Sequence, residues 1–363
     1  MHFGLFNLMT KRERSQDVGE IYRNMSEHVK MAEQIGFDIA WFAEHHFSNY
    51  CLCPSPLTMC AYLAPQTKTI KLGPAVIVAP LYEPVRMMED ICLIDQLSGG
   101  RIVLGFGTGY QEYEFHKFGV DIKQSRAIFH ETLDLLEKLL AGDPVSYEGT
   151  HIKFPETHFS VRPVQARPDI YVAGLAGDSE TQARARKRGY IPFFTTGWNT
   201  LDTIAETRDK LRQAYVAAGG KHEEAPYAMQ RYIFVTDDRA EALKAADGAR
   251  YIRRVAMSMR NKYGELDGSF LKEIPAPDEP PLEVIADRML VGSADVVAEK
   301  LIAEIERLEP THISAFMAIP GIEQKRVLAS MQAFGEKVMP QLTKHFGDLA
   351  NVGVPAPRIK AAA

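Results

Sequence analysis

The residues best equipped for chemistry are Glu44, His45 and His46, in the stretch Trp41-Phe42-Ala43-Glu44-His45-His46-Phe47. An imidazole titrates near neutral pH and can take or give a proton, and a carboxylate beside it can hold it in position. Gly36-Phe37-Asp38-Ile39-Ala40-Trp41-Phe42 reads as the turn out of a helix followed by a short apolar strand, so the three polar residues arrive where that strand should end. In α/β proteins that is where sites are built. Taken alone, the three could equally be a hydrogen-bonded strand terminus or solvated surface. Cys51 and Cys53 follow closely, yet the spacing fits none of the usual zinc patterns, and no metal is expected.

Two further stretches could receive a ligand. In Gly99-Gly100-Arg101-Ile102-Val103-Leu104-Gly105-Phe106-Gly107-Thr108-Gly109, missing side chains at Gly105 and Gly107 would let backbone lie against a planar or anionic ligand. Alternating glycines also occur where barrel strands bend, and the dinucleotide fingerprint is incomplete. Val172 to Thr181 reads as a strand, a loop of small residues and a helix start. Free N–H groups there, with the Ser179 and Thr181 hydroxyls, would suit a phosphate. A routine cap by Asp178 or Ser179 is the alternative, and Asp178 and Glu180 would have to face away from a phosphate. There is no G-x-S-x-G elbow, Walker loop or H-E-x-x-H helix to support hydrolase, nucleotidase or zinc-protease chemistry.

These residues need a scaffold, and its period is visible. Short apolar runs are expected as strands near 3–8, 38–42, 71–78, 101–106, 169–173, 190–194, 227–235 and 312–317, about the eight that close an α/β TIM barrel; a doubly wound open sheet is the runner-up. Helices are expected over 17–34, 126–140, 203–216, 239–260, 294–308 and 323–339. Val18, Ile21, Met25, Val29 and Ala32 set the three- and four-residue spacing of the first. Two insertions interrupt the repeat. One is a β-hairpin near 145–165; the other, near 261–283, is rich in Gly and Pro and reads as a lid or binding loop. Residues 1–345 are expected to form one domain, with 346–363 as a C-terminal tail.

Composition narrows the class. The 363 residues are 46% hydrophobic and 25% charged, with a net charge of -5 and the two signs interspersed, which fits a soluble globular protein and gives nucleic acid no basic stripe. Met1 to Met9 reads as a first buried strand rather than a signal peptide, and no apolar run is long enough to span a bilayer. Four cysteines, at 51, 53, 60 and 92, argue for a reducing cytoplasm.

Several motifs in order add up to a resemblance. They are Phe3-Gly4-x-Phe6, Gly36-Phe37-Asp38, Trp41-x-x-Glu44-His45-His46-Phe47 and Gly73-x-Ala75-x-Ile77-Val78-x-Pro80, then Pro84-Val85-Arg86-x-x-Glu89-Asp90 and Leu93-x-Asp95-Gln96-x-Ser98-x-Gly100-Arg101. Phe118-Gly119-x-Asp121, Ser125-Arg126, Val291-Gly292 and Ala329-Ser330-Met331 complete the set. Nearly end to end, the chain resembles the bacterial luciferase-like family of flavin-dependent monooxygenases. That resemblance implies a TIM barrel that binds reduced FMN, lets it react with O2 to a flavin hydroperoxide and oxidises a small organic substrate. It places His45 on the family's catalytic histidine with Glu44 beside it. Ala75-Val76 falls where a luciferase has a non-proline cis peptide under the flavin ring, and residues 177–181 fall on the phosphate loop. The chain departs from luciferase at Gly107, where a reactive cysteine stands, at Thr108, where an arginine stands, and at Gly177-Asp178, where Glu-Ser stands. These departures bear on luminescence and on an aldehyde as substrate.

The expected cofactor set is therefore Ala75, Val76, Gly105, Gly107, Thr108, Gly177, Asp178, Ser179, Thr181 and Trp198. Phe6, Phe42, Phe106 and Trp198 would serve as walls that exclude water, and His46 as a packed neighbour. No second nucleotide-binding domain for NAD(P)H is visible, so a separate flavin reductase is expected to supply reduced FMN. A homodimer is expected, with the helix over 86–97 apolar enough to contribute. Rival readings are a deazaflavin-dependent oxidoreductase on the same barrel and a non-catalytic flavin-binding subunit.

Overall fold

A computed structural model of the chain describes residues 1–173, 178–260 and 266–357. Parallel strands form a closed ring, in the order Lys71–Pro74, Ile39–Phe42, His2–Asn7, His312–Phe316, Ala228–Val235, Ile191–Thr195, Ile170–Ala173, Leu104–Gly107 and Ile77–Val78. The first and last of these are one stave, interrupted at the Ala75–Val76 peptide, which is cis. Closure comes from the Leu72 N–H on Arg101 O at 2.9 Å and the Val103 N–H on Leu72 O at 3.0 Å. Counted by staves there are eight, as the sequence suggests, with helices outside. Beside the ring, Leu290–Gly292 pairs with Ile233–Val235, a strand not anticipated because it is too short to show a period of its own.

Two positions explain the register. Trp41 is fully buried inside the barrel, its indole N–H donating to His312 Nε2 at 3.0 Å and its ring meeting Tyr171 edge-on at 4.8 Å. Gly73 is required opposite it, since a Cβ there would lie 2.7 Å from the Trp41 ring. Burial pulls the His312 pKa down to about 3, so the imidazole stays neutral and accepts the indole proton.

The helices follow their apolar stripes. Val18–Gln34 is capped by Asp17, which accepts the Glu20 N–H at 2.8 Å, and buries Met25, Val29 and Ala32. Gly36, at φ 83°, ends it. The helix expected over 323–339 divides into Gln324–Ala333, a π turn over Phe334–Val338 and Met339–Phe346. Gly335 sits in that turn because a Cβ would lie 2.6 Å from Ile35. Pro56–Leu63, Glu112–Phe118 and Leu282–Arg288 are helices the sequence reading did not name, each of eight residues or fewer.

Both insertions are present. Val145–Glu148 pairs antiparallel with Lys153–Thr157. Of the segment 261–283, residues 261–265 lie outside the described residues, and the remainder is more tied down than a lid. Leu266–Asp267 and Phe270–Leu271 pair, the Leu271 N–H donates to Asn49 Oδ1 at 2.9 Å, and Glu279 pairs with Arg254 at 2.6 Å. Of the expected tail, part of the stretch 349–354 is docked: the Met1 amino group donates to Leu349 O at 2.6 Å, and Val354 is buried. No helix among the described residues is long and apolar enough to cross a membrane.

Candidate active site

The strand ends open onto a cavity of about 540 Å³. Its walls come from the carboxyl-terminal ends of the staves and the loops after them, as in other α/β barrels. Phe6, Leu8, Ala43 to His45, Ala75, Val76, Gly107 to Tyr110, Phe193 to Asn199 and Phe316 supply most of the lining. Helix Arg239–Arg260 closes one side through Ile252, Arg253, Ala256, Met257 and Arg260.

The histidines do not pair as adjacency suggests. Glu44 and His45 both line the cavity, but the partner of His45 is Glu114: Nδ1 and Oε1 are 3.0 Å apart. The same oxygen accepts the His46 N–H at 2.8 Å, so one carboxylate fixes both a ring and the backbone behind it. Tyr50 and Tyr110 meet the His45 ring edge-on, at centroid distances of 4.9 and 5.8 Å. Glu44 instead holds His46, with Oε1 3.0 Å from Nε2, and its other oxygen accepts the Tyr82 hydroxyl at 2.8 Å and the Val78 N–H at 3.2 Å. His46 does not line the cavity, and its ring packs against Phe118. Burial pushes the Glu44 carboxyl up, opposed by His46, Tyr82 and Val78, and burial with Glu44 pushes the Tyr82 hydroxyl up.

Of the ten expected cofactor residues, Ala75, Val76, Gly107, Thr108 and Trp198 line the cavity. Gly105 does not; its missing side chain makes room for the Pro74 carbonyl, a requirement of barrel packing. Gly107 does face the site, where a Cβ would lie 2.6 Å from Val76 Cγ2. Gly177 lies outside the described residues. Asp178 takes the routine cap, accepting the Thr181 N–H at 2.8 Å with one oxygen and pairing with Arg126 through the other. Both carboxylate oxygens are thereby engaged. Ser179 opens the helix Ser179–Arg188, and the Thr181 hydroxyl is buried without a hydrogen-bond partner among the described residues. Neither lines the cavity itself. Among the expected walls, Phe6 and Trp198 line it, whereas Phe42 and Phe106 belong to the core.

Sequence reasoning missed Glu114, Tyr82, Tyr110 and Gln230. Glu114 follows a glycine-rich strand end within a run of charged and aromatic residues, which was the signal available. Gln230 gave none: it lies mid-strand, lines the cavity, and has a buried Nε2 that is unpartnered among the described residues. Its strand neighbour Arg231 holds Glu304 with two hydrogen bonds, at 2.6 and 3.0 Å, and reaches Thr196 and Gly197, fixing the loop that carries Trp198.

Fold and site together define an α/β-barrel enzyme with a histidine–carboxylate pair in an apolar cavity at the carboxyl-terminal mouth. The chain belongs to the luciferase-like monooxygenase family, whose model matches residues 1–312. It is 36% identical over 349 residues to the uncharacterized protein y4vJ of Sinorhizobium fredii, covering 96% of this chain and 99% of that one. It is 26% identical over 355 residues to the oxygenase component of the flavin-dependent trigonelline monooxygenase of Acinetobacter baylyi, covering 95% and 96%. Two solved structures share the fold. The oxygenating constituent of 3,6-diketocamphane monooxygenase of Pseudomonas putida, in complex with FMN, superposes with a TM-score of 0.75 at 22% identity, covering 94% of this chain and 98% of that one. The coenzyme F420-dependent tetrahydromethanopterin reductase of Methanopyrus kandleri does so with 0.67 at 18%, covering 93% and 98%.

Proposed function

We propose that this flavin-dependent monooxygenase is an oxygenase that takes reduced FMN from a separate reductase and uses O2 to oxidise a small organic substrate. The observation that carries the reading is the His45–Glu114 pair at 3.0 Å, set in a mostly apolar cavity that the side-chain-free Gly107 also lines. The residues fit a flavin: backbone and small groups at Ala75, Val76, Gly107 and Thr108 form one wall, and buried Gln230 Nε2 and Thr181 Oγ1 lack partners among the described residues, as ligand donors would. When bound, reduced FMN supplies the electrons that activate O2.

The chain's own part is to exclude water and manage one proton. Phe6, Leu8, Phe193, Trp198 and Phe316 provide an apolar lining that keeps bulk water from the reacting groups. The His45 ring, held through Nδ1 by Glu114, takes or gives the proton at Nε2. Relatedness to a protein described as an oxygenase component supports the separate reductase. Exposed Tyr62, Leu93 and Leu97 support pairing with a second copy, and four buried free cysteines support a cytoplasmic location.

The test supplies chemically reduced FMN and isotopically labelled O2 to the purified protein with a panel of ketones, aldehydes and terpenes, each with and without a carboxylate. Label in the product, lost in His45→Ala, is the expected result. Product formed without O2 from a reduced deazaflavin would assign hydride transfer instead, a reading the F420-dependent neighbour brings forward. Tight flavin binding with no turnover of any compound would assign a non-catalytic subunit.

A further inference from the structure

The arginines of helix Arg239–Arg260 divide into two groups. Arg250 pairs with Asp247 at 2.6 Å, and Arg254 pairs with Glu279 at 2.6 Å and Glu273 at 3.1 Å. Arg253 and Arg260 have no carboxylate partner among the described residues. Each instead lies over an aromatic ring, Arg253 over Trp198 at 5.2 Å and Arg260 over Tyr110 at 4.9 Å, and each lines the cavity. Stacking on a ring steadies a guanidinium while leaving its N–H edge open to a planar oxyanion.

The cavity's own carboxylates cannot supply that anion. Glu114 is engaged by His45 and the His46 N–H, and Glu44 by His46, Tyr82 and the Val78 N–H. What remains is a mostly apolar chamber with two cations at its edge, both solvent-exposed and without a carboxylate partner among the described residues, on one helix face. Any anion that enters loses water and must recover the loss in charge-assisted hydrogen bonds, which a guanidinium fork gives to a carboxylate two at a time.

The two arginines serve different ends. Seven residues apart, they stand about 10 Å from each other along the helix. Arg253 is beside Trp198, on the loop after Ile191–Thr195, next to the strand Ile170–Ala173 that leads toward the helix start at Ser179. Arg260 is beside Tyr110, whose ring meets that of His45 at 5.8 Å. We propose that the organic substrate carries a carboxylate and that Arg260 receives it, at the His45 end of the cavity. This assignment rests on the flavin reading, which puts the cofactor phosphate at the other end.

The experiment first measures FMN and riboflavin binding by fluorescence quenching, for wild type, Arg260→Met and Arg253→Met. It then titrates the FMN-loaded proteins with matched acid and amide pairs: benzoate and benzamide, phenylacetate and phenylacetamide, octanoate and octanamide. Expected is binding of at least one acid about tenfold tighter than its amide, a preference of about 1.4 kcal/mol. Arg260→Met should abolish the preference with the amide affinity unchanged, and Arg260→Lys should restore part of it. Equal binding of acid and amide in every pair, or no acid binding at millimolar concentration, overturns the proposal. So does a preference lost in Arg253→Met and kept in Arg260→Met. An Arg260→Met protein that loses FMN affinity while keeping riboflavin affinity would show that Arg260 holds the flavin phosphate, and also overturns it. Failure of wild type to quench either flavin would instead sink the flavin reading, and is seen before any acid is added.

Discussion

Glu114 Oε1 lies 3.0 Å from His45 Nδ1, across 69 residues of sequence, while Glu44, the carboxylate adjacent in sequence, turns to His46. Glu114 presents its acceptor to Nδ1, so a proton shared there leaves Nε2 to exchange a proton with a ligand. His45→Ala should reduce product formation with supplied reduced FMN by about 10²–10⁴-fold. Flavin affinity should change little. Product formed at the wild-type rate would remove His45 from the mechanism.

Glu114 acts through His45, so its loss should be felt in turnover rather than in binding. Glu114→Gln keeps an oxygen for the His46 N–H, preserving the local fold, but removes the charge facing the imidazole. Turnover should fall about tenfold or more with KM nearly constant. A rise in KM at unchanged kcat would mean that Glu114 shapes the cavity rather than the histidine.

Two glycines two positions apart should fail differently. An added methyl at Gly107 meets Val76 Cγ2 inside the cavity, so Gly107→Ala should weaken flavin binding while thermal unfolding stays near wild type. At Gly105 the methyl would overlap the Pro74 carbonyl in the barrel wall, so Gly105→Ala should destabilise the fold by about 1–3 kcal/mol. Melting curves and flavin titrations of the two variants separate these effects, and identical behaviour would refute the distinction.

The Thr181 hydroxyl is buried with no partner among the described residues, at the start of the helix capped by Asp178. If it serves the flavin phosphate, Thr181→Val should lower FMN affinity about tenfold, in line with the 1.5–3 kcal/mol of a hydrogen bond to a charged group. Riboflavin, which lacks the phosphate, should bind both proteins equally. Parallel losses for the two flavins would make Thr181 a packing residue.

Acid sensitivity should trace partly to His28. Burial lowers its pKa to about 4 against an ordinary 6.5, with the Gln324 side chain 2.6 Å away opposing the shift. The folded state binds the proton more weakly than the unfolded chain, so the stabilisation is present above about pH 6.5 and is lost as pH falls toward 4. His28→Gln should make denaturant stability less dependent on pH across that window, by up to about 1.4 kcal/mol per pH unit. An unchanged slope would exclude His28 as a contributor. His312, lowered to about 3, keeps part of the slope in either protein.

Much of this protein could be read from period and composition, because those depend on neighbours along the chain. The apolar runs gave the eight staves, the three- and four-residue spacing of Met25, Val29 and Ala32 gave a helix face, and the alternation from Val145 with a turn at Gly149 gave a hairpin. His45 was legible as well, since a titratable ring at a strand end is a local fact. Its partner was not: Glu114 reaches it only because the ring of strands closes, bringing the loop after Leu104–Gly107 over the end of Ile39–Phe42. The same limit explains Gly105 and Gly107, which share a strand face by alternation yet meet the Pro74 carbonyl and the cavity respectively, because the level of each along its strand has meaning only once the barrel has a mouth. Arg253 and Arg260 read as ordinary helix charges until the fold set them over Trp198 and Tyr110 at the cavity mouth, with the cavity carboxylates Glu44 and Glu114 already engaged.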